Sequence, residues 1–396
     1  MPAELLDPAL AAADQADVVL ETSHSWGDVD AITNVLIDNW YILVGAAAGG
    51  AFGAALGALP AFVFTGFLVL AGVAGGGPGV AIGFGPVFGP HISFAGGAAA
   101  AAYAAKNGLM ESGMDYHNGK DITFALGSRP DILAVGAAFG VFGIVLEELL
   151  RQAAIPTDPI AFTVVASAFA HRAVFGYSIL GTVSDKASGR FDMGPFEREE
   201  MGNNHNFGDG EKDNSDMLAV EPWLPNMYKW SHVASIGLVA GAVAGYIGLQ
   251  VAAGGLANLM VVPEGTNLAN APAAPAVFFG FGISAASLIF LNLGVARIPV
   301  THHMTLPGAT AFFAVTQTAG NDAILAGVDP IVGLVIAALF GMIGALVGEA
   351  GQRIFYAHGG THVDPPAFAI FVTISLIWVL AMAGVFETAV WVPGGL

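Results

Sequence analysis

The chain has no cysteine, which excludes disulfides and thiolate metal sites. It is also poor in charge: 11% of its 396 residues are Asp, Glu, Lys or Arg, against about 25% in soluble globular proteins. Basic residues are the scarcest, 12 Lys and Arg facing 31 Asp and Glu. That scarcity denies the chain the basic patches that phosphate backbones require, so nucleic acid is excluded as a partner. The N-terminus has no basic region before an apolar run, so no secretory signal peptide is expected. The glycines of Gly75 to Gly85 are followed by no Gly-Lys-Ser/Thr, and His-Glu-x-x-His, Gly-x-Ser-x-Gly and Ser-x-x-Lys are missing. Nothing in the residues points to an enzyme or to a resident cofactor.

What fills the chain instead is apolar, at 55%. Runs of about twenty apolar residues read as membrane spans. Five appear in residues 40–181: Trp40 to Leu59, ended by Pro60; Phe62 to about Val80; Ile82 to Ala105, broken by Pro86 and Pro90; Asp131 to Gln152; and Pro159 to Gly181. Five more fill residues 228–390: Tyr228 to Ala253, Pro275 to Leu293, Pro299 to Thr318, Pro330 to Arg353, and Pro365 to Thr388. Residues 1–39 and the linker 182–227 are polar and acidic and read as lying outside the bilayer. Acidic, lysine-poor exposed segments suit very high salt, where repulsion is screened. The expected home is therefore the cell membrane of a halophilic archaeon.

The two halves repeat each other. Pro90-His-Ile-Ser-Phe-Ala-Gly-Gly97 aligns with His302-His-Met-Thr-Leu-Pro-Gly-Ala309, pairing His91 with His303, Ser93 with Thr305 and Gly96 with Gly308. Gly140-Val-Phe-Gly143 with Glu148 matches Gly341-Met-Ile-Gly344 with Glu349, and Asp158-Pro159 matches Asp364-Pro365. Three matches in one order at offsets of 212, 201 and 206 predict a duplication. The fold class expected is an all-α polytopic membrane protein of about 10 transmembrane segments in two tandem five-segment repeats, inverted, each with a broken or re-entrant third helix. If all ten span, Lys106, Lys120, Arg129, Lys186, Arg190, Arg198, Lys212, Lys229, Arg297 and Arg353 share one side, with Arg151 opposite, as the positive-inside rule asks. If the third segments are re-entrant, each half has four spans and Arg353 joins Arg151.

Candidate site residues follow from these patterns. A proline ahead of a helical run sets a helix N-terminus that attracts anions and carbonyls. His91, Ser93, His302, His303 and Thr305 are the expected substrate-binding residues there. His171 and Arg172, about thirteen residues into the fifth segment, join them because an arginine in a span needs a carboxylate, water or an anionic substrate. Glu148 and Glu349, each near an arginine one turn on, are the expected coupling carboxylates. Asp158 and Asp364 read as helix N-caps. The function expected is transport of a small ion or anionic solute, coupled to protons or cations. Other readings are a passive channel with paired broken helices, or a membrane subunit of a larger complex. The partners expected are the lipid bilayer and the small ion or solute, with homo-oligomerisation or a membrane complex also open.

Overall fold

A computed structural model describes residues 39–74, 78–110, 118–200, 219–254 and 273–394. The acidic segment 1–38 and the centre of the linker, 201–218, lie outside the described residues.

Helices make up the fold. They are α1 (Trp40–Leu56), α2 (Ala58–Ala74), α3 (Pro78–Phe84), α4 (Ala95–Lys106), α5 (Pro130–Gln152), α6 (Pro159–Phe175), the single turn α7 (Gly194–Glu197), α8 (Trp230–Gly254), α9 (Ala273–Asn292), α10 (His302–Thr316), α11 (Pro330–Gly351) and α12 (Pro365–Met382). A π-helical turn, Pro90–Phe94, leads into α4, and another, Gln352–Tyr356, extends α11. Among the described residues no strand forms; one isolated bridge joins Leu325 and Phe386.

Proline starts α5, α6, α11 and α12, at positions 130, 159, 330 and 365, where its missing N–H costs nothing. Asp158, Asp329 and Asp364 cap three of these by accepting first-turn N–H groups. The first break does not fall at Pro60, which the first turn of α2 tolerates. It falls at Gly57, whose φ of 96° suits glycine, and the chain turns there by 120°.

Among the described residues four helices are long and apolar enough to cross a membrane, and the bent pair α1–α2 raises the number to five. Large apolar side chains face outward along them, including Phe52, Phe64, Val239, Val243, Val335 and Leu339. Such exposure is ordinary against lipid and costly against water. The third segments are short. Ile82 to Ala105 becomes α3, an irregular stretch and then a helix from Pro90; Pro299 to Thr318 becomes one helix of 15 residues, about 22 Å long.

Small residues set the packing. Gly50 of α1 meets the backbone of Gly136 and Gly140 on α5, and Gly96 of α4 sits against both helices. Gly241 of α8 meets Ala337 and Gly341 on α11, with Gly308 of α10 in the same corner. No Cβ fits at these glycines, so the backbones approach as in small-xxx-small pairs. Between the two groups of helices, α2 packs on α9 and α6 on α12.

Candidate functional site

His91 is fully buried in the π turn. Its carbonyl lies against Gly143 of α5, where no side chain would fit. One helical turn further along that face stands Glu147, with Oε2 3.7 Å from His91 Nε2. Glu147 is held in turn by Arg151 through Nε. Neither ring nitrogen of His91 has a hydrogen-bond partner among the described residues. Glu148 points elsewhere and accepts from Gln152 at 2.7 Å.

His303 repeats the first part of this arrangement and departs from the second. Its carbonyl lies against Gly344, but its ring packs on Gly348, the position that corresponds to Glu147. Trp223 closes over it at 6.1 Å. Glu349 is buried one residue on, accepting from Arg353 Nε at 2.6 Å and Gln352 at 3.2 Å. Arg353 also donates to the carbonyls of Phe191 and Tyr228 and lies over the Trp230 ring. His302 turns away from His303 into an aromatic cage of Phe62 and Phe281, at 4.8 and 5.7 Å.

The hydroxyls of the repeated motif do backbone work. Ser93 Oγ donates to the Phe88 carbonyl at 3.3 Å, and Thr305 Oγ1 to that of His302 at 3.3 Å. Neither caps its helix.

Arg172 is not at mid-span. Gly176, in the left-handed conformation, ends α6, so Arg172 lies in its last turn, where the helix dipole welcomes a cation. It is buried with no carboxylate partner among its hydrogen bonds. Nε donates to Thr361 Oγ1 at 2.9 Å, Nη2 to the Thr361 carbonyl at 2.8 Å and Nη1 to the Ile179 carbonyl at 2.6 Å. These bonds hold the irregular segment 357–364, whose residues 357–363 are all buried. Backbone without helix is tolerated at membrane depth only when protein encloses it. Gly359 makes the fit possible, since a Cβ there would strike the guanidinium.

From this segment His362 reaches inward. Its Nε2 lies 3.1 Å from Asp364 Oδ1, and its ring is 5.8 Å from Phe94. His171 Nε2 lies 2.9 Å from Thr361 Oγ1. Phe94, Ala95, Ala98, Val164, Ser167, Ala168, His171, His362 and Asp364 line a cavity of about 10 Å³, room for one water. Ser167 Oγ and the Nδ1 atoms of His171 and His362 have no hydrogen-bond partner among the described residues.

Thus His171 and the π turn of His91 (through Phe94) meet at one cavity, with Asp364 beside His302 at its edge. Arg172 stands behind it, and His303, Glu349 and Glu148 lie elsewhere. His362 is not singled out by the sequence, and of the adjacent pair Glu147 and Glu148 the sequence reading gives the coupling role to Glu148. The phase of α5 could have found Glu147, four residues after the packing glycine Gly143 on the same face. No periodicity reports that a loop such as 357–364 is buried.

Outside the helices, Lys120 and Glu221 form a buried pair at 2.7 Å, with the ammonium over the Tyr356 ring. Burial pushes Lys120 below its ordinary range, and Glu221 opposes the shift.

No group of His, Asp or Glu among the described residues could hold a metal ion. No curated protein and no solved structure matches the chain. Residues 32–259 and 269–395 match a family of unknown function, DUF7973, and the chain belongs to that family.

Proposed function

We propose that the chain is a membrane transporter for a small ion, built from two inverted five-segment halves, and not an enzyme. The observation that carries this reading is a small cavity, mostly apolar but edged by Ser167, His171, His362 and Asp364, between two groups of helices that make the same contacts twice. Within each corresponding helix the contacts repeat at a constant offset: Ala46, Gly50 and Gly140 recur as Gly237, Gly241 and Gly341. Equivalent helices also face each other, α2 against α9 and α6 against α12, as a pseudo-two-fold axis requires.

The loops support ten crossings over eight. Arg353 and Ala357 contact Phe191 and Glu221 of the linker, and Ile122 contacts Leu59. Ten crossings put each of these pairs on one side. Two re-entrant third segments would put them on opposite sides. The basic residues then gather on the linker side, which is the cytoplasmic side by the positive-inside rule. The acidic excess fits a halophile.

The cavity's size favours an ion over a larger anionic solute, and Arg172 is already engaged by carbonyls. On this reading His91 and Glu147, rather than Glu148, form one gate, and His303 with Glu349 the other. The test is flux into proteoliposomes. Accumulation of one ion against its gradient, driven by proton or sodium force, is expected, and His91→Ala or His303→Ala lowers it at least tenfold. Downhill flux alone makes the protein a channel, and full transport by both variants removes the gates.

A further inference from the structure

We propose that His362 is the proton carrier of this transporter, taking its proton through a water that is held between it and His171 and is a hydronium at the moment of transfer. The inference rests on the transporter reading above and names the coupling ion.

The argument begins with hydrogen-bond polarity. Asp364 Oδ1 accepts from His362, so Nε2 carries the proton and Nδ1 is left as an acceptor. Thr361 Oγ1 receives Arg172 Nε–H, and in the tautomer proposed here it gives its own proton to His171 Nε2. His171 Nδ1–H is then a donor. One donor, one acceptor and the Ser167 hydroxyl line a space with room for one water. Such a water accepts from His171 and donates to His362 and to the Ser167 hydroxyl, satisfying three groups that have no other partner among the described residues.

Charge decides which ring takes a proton. Arg172 follows His171 on the same helix turn, so a charge on that ring would sit beside a guanidinium. His362 faces Asp364, whose carboxylate compensates an imidazolium. The other groups facing the pair are Tyr356, 5.3 Å from the His362 ring with Lys120 on its far side, and His302 toward Asp364. In the step, one O–H bond of a hydronium breaks and one N–H bond forms at His362 Nδ1. No electrons are transferred, and the proton leaves from the same atom when the cavity opens to the other side.

His362 also belongs to a set. Counted by the repeat offsets, His171, Arg172, His302 and His362 fall opposite Ile377, Trp378, Pro90 and Pro156. Of these unmatched polar residues, His171 and His362 line the cavity, Arg172 shares Thr361 with His171, and His302 packs on Phe62, which in turn packs on the lining ring of Phe94. Duplication alone supplies paired gates, and a single carrier between them has to break the pairing.

Vesicles loaded with a pH-sensitive dye and given sodium, potassium, magnesium, chloride, nitrate, sulfate and phosphate in turn provide the test. Wild-type protein is expected to move protons with one of these ions. His362→Gln should cut proton movement at least tenfold while isotope exchange of that ion persists. His171→Gln should have a smaller effect. Nitrogen-15 NMR of histidine-labelled protein in lipid gives a readout independent of flux: His362 Nδ1 should gain a proton on acidification while His171 stays neutral. Proton movement undiminished in His362→Gln, or His362 remaining neutral by NMR, overturns the proposal. Wild-type ion transport without any pH change also overturns it and leaves the transporter standing. An intact His362 titration with no flux of any ion removes the transporter instead.

Discussion

The links between the fourth and fifth segments of the two halves do opposite things. In the first half, residues 153–156 form a short half-buried turn, with Ala154 in the left-handed region at φ 47°. In the second, residues 357–363 are wholly buried and contain two glycines, two histidines and a threonine. The first link only joins helices. The second is gripped by Arg172, covered by the Lys120–Glu221 pair and packed against Gly181 and Gly119. On the proposed repeat, likeness of the helices therefore says little about what lies between them, and the proposed chemistry sits where the halves differ.

Substitutions can break that contrast. No effect is expected to exceed that of Glu221→Gln, which neutralises the carboxylate 2.7 Å from the buried Lys120 ammonium and costs about 3 kcal/mol. Denaturant titration in detergent should read that loss. Arg172→Met removes three donors from buried acceptors and should cost about 3 kcal/mol; new protease cleavage within 357–364, with 153–156 unaffected, is the matching readout. Gly359→Ala drives a methyl into the guanidinium and should cost about 2 kcal/mol, seen as a lower melting temperature. The smallest effect has the opposite sign. Ala154→Gly relieves a left-handed alanine and should stabilise by about 1 kcal/mol. If Ala154→Gly destabilises as much as Gly359→Ala, the first link is not the passive turn described here.

Much of this was legible beforehand. Prolines 130, 159, 330 and 365 announced helix starts, and Asp158 and Asp364 cap as their positions implied. The pairing of His91 with His303 was visible because both sit over a packing glycine, and packing constraints leave sequence traces. Gly176 already marked the end of α6, so the apparent depth of Arg172 was a misreading of where the apolar run, rather than the helix, stops. The choice between Glu147 and Glu148 depended on helix phase, which adjacent residues leave open until a packing face is fixed. The importance of His362 was not legible at all. It depends on tertiary enclosure of an irregular segment by residues about 190 positions away.

That separation has a consequence for how the protein is made. Arg172 and the threonine that receives it are 189 residues apart. At ribosomal speeds of about 5–20 residues per second, the threonine follows the arginine by roughly 10–40 s. For that interval the nascent first half carries an arginine with only the Ile179 carbonyl to receive it; the two acceptors on Thr361 do not yet exist. The first half is therefore not a finished folding unit when it leaves the ribosome, and a chain cut within the linker should need its missing half added in trans to assemble.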